Sequence, residues 1–136
     1  SRMDEIQAAF LSIKLKYLDS FNERRVEIAR FYNQNIKNPD VILPSVKYDS
    51  PKSHVYHLYV IRTKKRDKLI SFLNDNDIGT SIHYPIAPHK QVAYKEWSKK
   101  KYPISEEIHN TTISIPNAPY LSDDEIHNVF SIINKY

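Results

Sequence analysis

HVYHLYVIRT, residues 54–63, is the stretch on which the fold turns. Val55, Tyr56, Tyr59, Val60, Ile61 and Thr63 are β-branched or aromatic, and such side chains pack well on a pleated surface. The segment reads as a strand. On its C-terminal side, Leu69, Ile70, Phe72 and Leu73 mark a helix over Arg66 to Asn76, and Asp77-Ile78-Gly79 turns the chain. Thr80-Ser81-Ile82-His83-Tyr84 reads as a second strand ended by Pro85. Gln91 to Lys99 and Ile104 to Asn110 read as short helices, and Ile113-Ser114-Ile115 as a third strand stopped by Pro116. Ser122 and Glu125 match the Ser-x-x-Glu capping box and start a last helix that runs to Lys135.

On the N-terminal side, Met3, Ile6, Phe10, Ile13, Tyr17, Phe21, Ile28, Phe31 and Ile36 recur at steps of three, four and seven, one stripe of a helix. One helix, or two joined near Asp19-Ser20, is predicted from Arg2 to Lys37, until Asn38-Pro39-Asp40 stops it. At 1.5 Å per residue it spans on the order of 50 Å, longer than a domain of this size can bury. Part of it is therefore expected to touch a further domain or a second subunit. Pro44 and Pro51 bracket an irregular connector to the strand. The expected fold is α+β, a single domain over residues 1–136. A long N-terminal interface helix (1–37) precedes a small, mostly antiparallel three-stranded sheet packed with helices (54–136).

Composition narrows the functions. The 136 residues hold one glycine, so phosphate-binding loops of the GxGxxG or P-loop type, which need several, are excluded. No cysteine is present, so disulfides and thiolate metal sites are excluded, and a reducing compartment such as the cytoplasm is the natural fit. No run has the length of a membrane span, and no membrane partner is expected. The formal charge of +4 is mild, and Lys64-Lys65-Arg66 and Lys99-Lys100-Lys101 read as solvated loops. No nucleic-acid partner is expected, although the basic balance and ten tyrosines leave as an alternative an independent binding module for an acidic ligand or nucleic acid.

Six histidines invite a metal reading. His54 and His57, three apart on a strand, face opposite ways, and His83 and His89 are separated by two prolines with no nearby carboxylate, so no metal site is expected. Glu106-Glu107 and Asp123-Asp124-Glu125 sit at helix starts, where carboxylates complement the dipole. The segment Ile82-His83-Tyr84-Pro85-Ile86-Ala87-Pro88-His89 places an imidazole and a phenol at a strand end before a proline-stiffened loop. Donors on such backbone suit anionic or hydroxyl-rich ligands, since little freedom is lost on binding. His83 and Tyr84 can serve one ligand only if the strand has already ended there.

Arg2-Met3-Asp4-Glu5-Ile6-Gln7-Ala8-Ala9 resembles a segment of the DegT/DnrJ family of pyridoxal-phosphate-dependent sugar aminotransferases. The likeness continues through Leu18-Asp19, Asn22-Glu23-Arg24-Arg25, Ile28-Ala29 and Tyr32, the strand at 54–62, and Ile82-His83-Tyr84-Pro85 with His89, Gln91 and Ala93-Tyr94. It ends with Ile113-Ser114-Ile115-Pro116 and Pro119-Tyr120-Leu121. The resemblance implies the C-terminal small domain of a fold-type-I aminotransferase. Its Schiff-base lysine and pyridoxal 5′-phosphate would lie in an upstream domain, so no catalytic residue is expected here and no cofactor on this segment alone. It further implies a homodimer, amino transfer from an amino acid such as glutamate to a nucleotide-linked keto sugar, and a place in amino-sugar or polysaccharide biosynthesis. His83 and Tyr84 become the candidates to approach the nucleotide-sugar. Arg2 is a candidate neighbour of the cofactor, and His54, His57 and His89 are expected to be structural. The family also has regulatory members, which implies a sensory role as another reading.

Overall fold

The computed structural model describes residues 2–46 and 53–136; Ser1 and the connector residues 47–52, Pro51 among them, lie outside it. The elements are α1 (Glu5–Leu15), α2 (Leu18–Asn35), β1 (Tyr59–Arg62), α3 (Arg66–Asn74), α4 (Pro103–Thr111), β2 (Thr112–Ile115) and α5 (Asp123–Lys135). Two short 3₁₀ turns, Pro88–Lys90 and Val92–Trp97, precede α4. Secondary structure is thus α+β, as expected, but among the described residues the sheet has two strands rather than three.

β1 and β2 pair antiparallel, with Tyr59 opposite Ile115, Val60 opposite Ser114, Ile61 opposite Ile113 and Arg62 opposite Thr112. The predicted strand at 54–63 begins only at Tyr59. The reason is Tyr56, whose φ of 49° puts it in the left-handed region, away from extended backbone. Its N–H donates to His54 Nδ1 at 2.9 Å, and its carbonyl accepts from the buried Asn117 Nδ2 at 2.7 Å, so both backbone groups are satisfied outside the sheet. The predicted strand at 80–84 reduces to one bridge, Ser81 to Ser114. A ladder needs successive pairs, and the chain leaves the sheet before Pro85, which has no N–H to offer. Ile42 bridges Arg62 on the opposite edge.

The N-terminal helix is also not continuous. Lys16 N–H bonds Ile13 O at 3.3 Å and Tyr17 N–H bonds Lys14 O at 3.0 Å, a tightened last turn that closes α1, and Tyr17 (φ −104°, ψ 0°) then starts α2. The joint lies at Lys16-Tyr17, ahead of the Asp19-Ser20 position expected. Tyr17 stacks on Phe21 at 6.0 Å, so the apolar stripe continues across the break and hides it from periodicity. α1 is capped by Asp4, whose carboxylate accepts the Ile6 N–H at 2.9 Å, yet no residue of α1 is buried. Ile6 and Phe10 are 68% and 63% exposed.

The core begins halfway along α2. Ile28, Ala29, Tyr32 and Ile36 pack with Tyr59, Ile61, Ile113 and Ile115 of the sheet, Leu69 and Leu73 of α3, and Ile126, Val129, Ile132 and Ile133 of α5. Tyr32 meets Tyr59 edge-on at 5.2 Å. Both phenols are buried and still satisfied, Tyr32 donating to Pro116 O at 3.0 Å and Tyr59 to Asn33 Oδ1 at 2.6 Å. Burial pushes both far above the usual phenol range. α3 ends as a Schellman motif, with Ile78 N–H on Leu73 O and Asp77 N–H on Asn74 O, and Asp77 rather than Gly79 takes the positive φ. The capping box at Ser122 and Glu125 forms as predicted, and Arg24 of α2 ties down the same helix end through Asp123 Oδ1 at 2.6 Å.

The long connection from residue 82 to α4 is closed by a clasp. His89, buried in the first 3₁₀ turn, hydrogen-bonds through Nε2 to Glu106 Oε1 at 2.8 Å, and the Tyr102 N–H reaches the same oxygen at 3.2 Å. These bonds, His89's first, hold the Glu106 carboxyl below its ordinary range.

Ile113→Ala should cost about 2–5 kcal/mol in denaturant unfolding, whereas Ile6→Ala should change stability by no more than about 0.5 kcal/mol. Because the folded Glu106 pKa lies below its unfolded value, the clasp contributes above the ordinary glutamate pKa and is lost as pH falls through the lowered one. Amide exchange at Lys90 and Gln91 should therefore show an acid-side loosening that Glu106→Gln removes.

Candidate functional site

β2 is buried along its whole length, and Ser114 is the residue of it that faces the segment at 81–84. The backbone of Ser114 exchanges two hydrogen bonds with Ser81, Ser114 N–H to Ser81 O at 2.7 Å and Ser81 N–H to Ser114 O at 3.1 Å. Two residues further on, His83 Nδ1 lies 2.9 Å from Ser114 Oγ. His83 is half-buried, and among the described residues its Nε2 has no partner. Tyr84 follows across a cis peptide bond, 65% exposed. The two rings meet edge to face with centroids 5.5 Å apart. The strand has ended here, so the imidazole and the phenol stand together rather than on opposite faces of a sheet.

A second support comes from α4. Its last turn brings His109 against the loop, and Nδ1 of His109 lies 2.5 Å from the Tyr84 carbonyl, an acceptor to which the ring N–H donates. Arg66 Nη1 in turn donates to the His109 carbonyl at 3.0 Å. An imidazole and a phenol thus stand side by side on a loop held by two backbone anchors, and both groups are able to donate or accept a hydrogen bond. Sequence reasoning picked out His83 and Tyr84 but missed Ser114 and His109. A hydroxyl between Ile113 and Ile115 in a buried strand was the available signal, since a buried hydroxyl needs a partner.

Arg2 stands apart, exposed at the entry to α1, and makes no ion pair among the described residues. His54 caps the Tyr56 N–H and His89 closes the clasp, both structural tasks. Among the described residues, no three metal-ligating side chains converge, and no helix is long and apolar enough to cross a membrane. Two larger grooves lie along the N-terminal helices. One, about 520 Å³, is bordered by Asp19, Glu23 and Glu27 with Arg30, an acidic setting that disfavours an anion. The other, about 650 Å³, runs between Leu11, Leu15, Phe21 and Tyr120 with Lys14 and Arg25 at its margin.

The pyridoxal phosphate that the family resemblance implies needs a lysine amine in a cleft and a carboxylate for the pyridine nitrogen. Every lysine among the described residues is exposed, and the groove that Lys14 borders contains no carboxylate. The described residues do not by themselves make a cofactor site.

The chain is 51% identical over 136 residues to dTDP-3-amino-3,6-dideoxy-α-D-galactopyranose transaminase of Aneurinibacillus thermoaerophilus, covering 100% of this chain and 37% of that protein. It is 33% identical over 136 residues to the erythromycin biosynthesis sensory transduction protein EryC1 of Saccharopolyspora erythraea, covering 98% of this chain and 37% of that one. In structure it matches S. venezuelae DesV in complex with a ketimine intermediate with a TM-score of 0.92 at 34% identity, over 98% of this chain and 36% of that one. The chain thus spans little more than a third of the length of these relatives. The model of the DegT/DnrJ/EryC1/StrS aminotransferase family matches residues 1–134, and the chain belongs to that family.

Proposed function

We propose that this chain is the C-terminal, substrate-shaping domain of an enzyme that transfers an amino group, from glutamate, to a keto sugar carried on dTDP. The observation that carries this reading is the 51% identity, across the whole chain, to a dTDP-amino-sugar transaminase. The proposed setting is amino-sugar or cell-surface polysaccharide biosynthesis in the cytoplasm. Pyridoxal 5′-phosphate supplies the electron sink for amino transfer when bound. In this reading the lysine that anchors it belongs to the N-terminal domain of the full-length protein, and this domain alone does not turn over substrate.

What this chain does is hold the sugar nucleotide. His83 and Tyr84 offer an imidazole N–H and a phenol O–H to sugar hydroxyls or diphosphate oxygens. The anchors at Ser114 and His109 limit the freedom lost when they bind. Arg2, exposed and free of an ion pair among the described residues, is proposed as a neighbour of the cofactor phosphate. The exposed stripe of Met3, Ile6, Phe10 and Ile13 is proposed to rest on the N-terminal domain and, in a homodimer, on the partner subunit. Burying each such side chain is worth about 1.5–3 kcal/mol. A second reading, a sensory or regulatory role for the full protein, is favoured by the 33% identity to EryC1.

In the full-length protein, His83→Asn should weaken binding of dTDP-3-amino-3,6-dideoxy-α-D-galactopyranose about tenfold by calorimetric titration and leave the cofactor absorbance unchanged. Unaltered affinity would reduce His83 to scaffold. Failure of the full-length protein to aminate any dTDP-linked keto sugar would favour the regulatory reading.

A further inference from the structure

Ser114 has three polar commitments. Its backbone N–H and carbonyl pair with Ser81, and its hydroxyl lies 2.9 Å from His83 Nδ1. The residue is only 6% exposed, and within the described residues the imidazole is the hydroxyl's sole partner. A buried hydroxyl is costly unless paired, and alanine would fill this strand position without that cost. The hydroxyl is therefore accounted for by the ring it meets, and the same residue fixes both the backbone two residues before His83 and the orientation of the His83 side chain.

The chemistry of the pair is directional. A neutral imidazole carries its proton on one nitrogen, and the hydrogen bond at the other decides which. A serine hydroxyl can donate or accept. A ring that is to donate to a sugar hydroxyl or diphosphate oxygen must carry its proton on Nε2, which leaves Nδ1 bare to accept from Ser114.

We propose that Ser114 is a positioning residue for His83: its hydroxyl donates to Nδ1 and fixes the imidazole as the Nε2–H tautomer that faces the sugar nucleotide. This rests on the substrate-binding reading of His83 given above. The backbone bridge at Ser81 sets where the loop leaves the sheet, and the hydroxyl sets how the ring is turned. His109, which holds the Tyr84 carbonyl, steadies the loop but does not touch the His83 ring through any bond in the structure.

The test uses the full-length protein labelled with ¹⁵N-histidine, with the His83 ring signals identified by their loss in His83→Asn. Long-range ¹H–¹⁵N spectra should show bare Nδ1 and protonated Nε2 in the wild type. Ser114→Ala should show averaged shifts of a tautomer mixture and bind dTDP-3-amino-3,6-dideoxy-α-D-galactopyranose about fivefold more weakly, the loss of one neutral hydrogen bond. Ser114→Thr, which keeps the hydroxyl, should restore the single tautomer. A wild-type ring protonated on Nδ1, or a Ser114→Ala protein with unchanged tautomer, overturns the proposal. So does an unchanged affinity in Ser114→Ala when His83→Asn binds more weakly. If His83→Asn binds as the wild type does while Ser114→Ala still scrambles the ring, the tautomer lock is supported and the substrate reading of His83 fails.

Discussion

The antiparallel pairing of Tyr59–Arg62 with Thr112–Ile115 joins segments fifty residues apart, and most of the described structure is hung from it. Every residue of β2 is buried. One edge of β2 is taken by β1, the other by the single bridge at Ser81, α4 runs directly into its first residue, and Pro116 beyond its end receives the Tyr32 hydroxyl. A slip of one residue in this register would exchange the two faces of the strand. Ser114 would then turn towards the space now filled by Ile113 and Ile115, and His83 would lose its anchor. The packing of isoleucines on one side and the placement of an imidazole on the other are thus one constraint, satisfied together.

Around that pair, burial is uneven along the chain. The C-terminal half of α2, α3 and α5 form a closed set of contacts with the sheet, reinforced at the rim by Arg24 on Asp123, by Asn38 Nδ2 donating to Ile133 O and by Asn134 Nδ2 donating to Asn35 O. α1 contributes nothing to that set. It is held by its own cap and by the stripe that continues across Tyr17 and Phe21, and its apolar face remains open.

Features carried by local chemistry were legible in the sequence. Ser122 and Glu125 specify their capping box within four residues, and Val60-Ile61 and Ile113-Ile115 form the strand centres that their β-branched side chains favour. Features set by distant partners were not. The strand expected over 54–63 is shorter in the structure because Tyr56 is diverted by Asn117, sixty-one residues away, and nothing in Tyr56 itself announces a positive φ. The composition of residues 80–84 suits a sheet, although only Ser81 finds an edge to pair with. The break at Lys16-Tyr17 contains neither glycine nor proline, so no residue type marks it. At the site, His83 and Tyr84 were visible as chemistry, but the groups that hold them, Ser114 and His109, come from other elements and emerge only when the chain is folded.

The way α2 is clamped has a mechanical consequence. Its eighteen residues form an uninterrupted rod of about 27 Å, with Tyr32 bonded to Pro116 and Asn33 to Tyr59 near one end and the exposed Phe21 near the other. Such a rod acts as a lever. Torque applied where α1 joins it would be delivered, through two phenol hydroxyls, to Tyr59 and to the turn after Ile115, next to the strand that carries the imidazole's anchor.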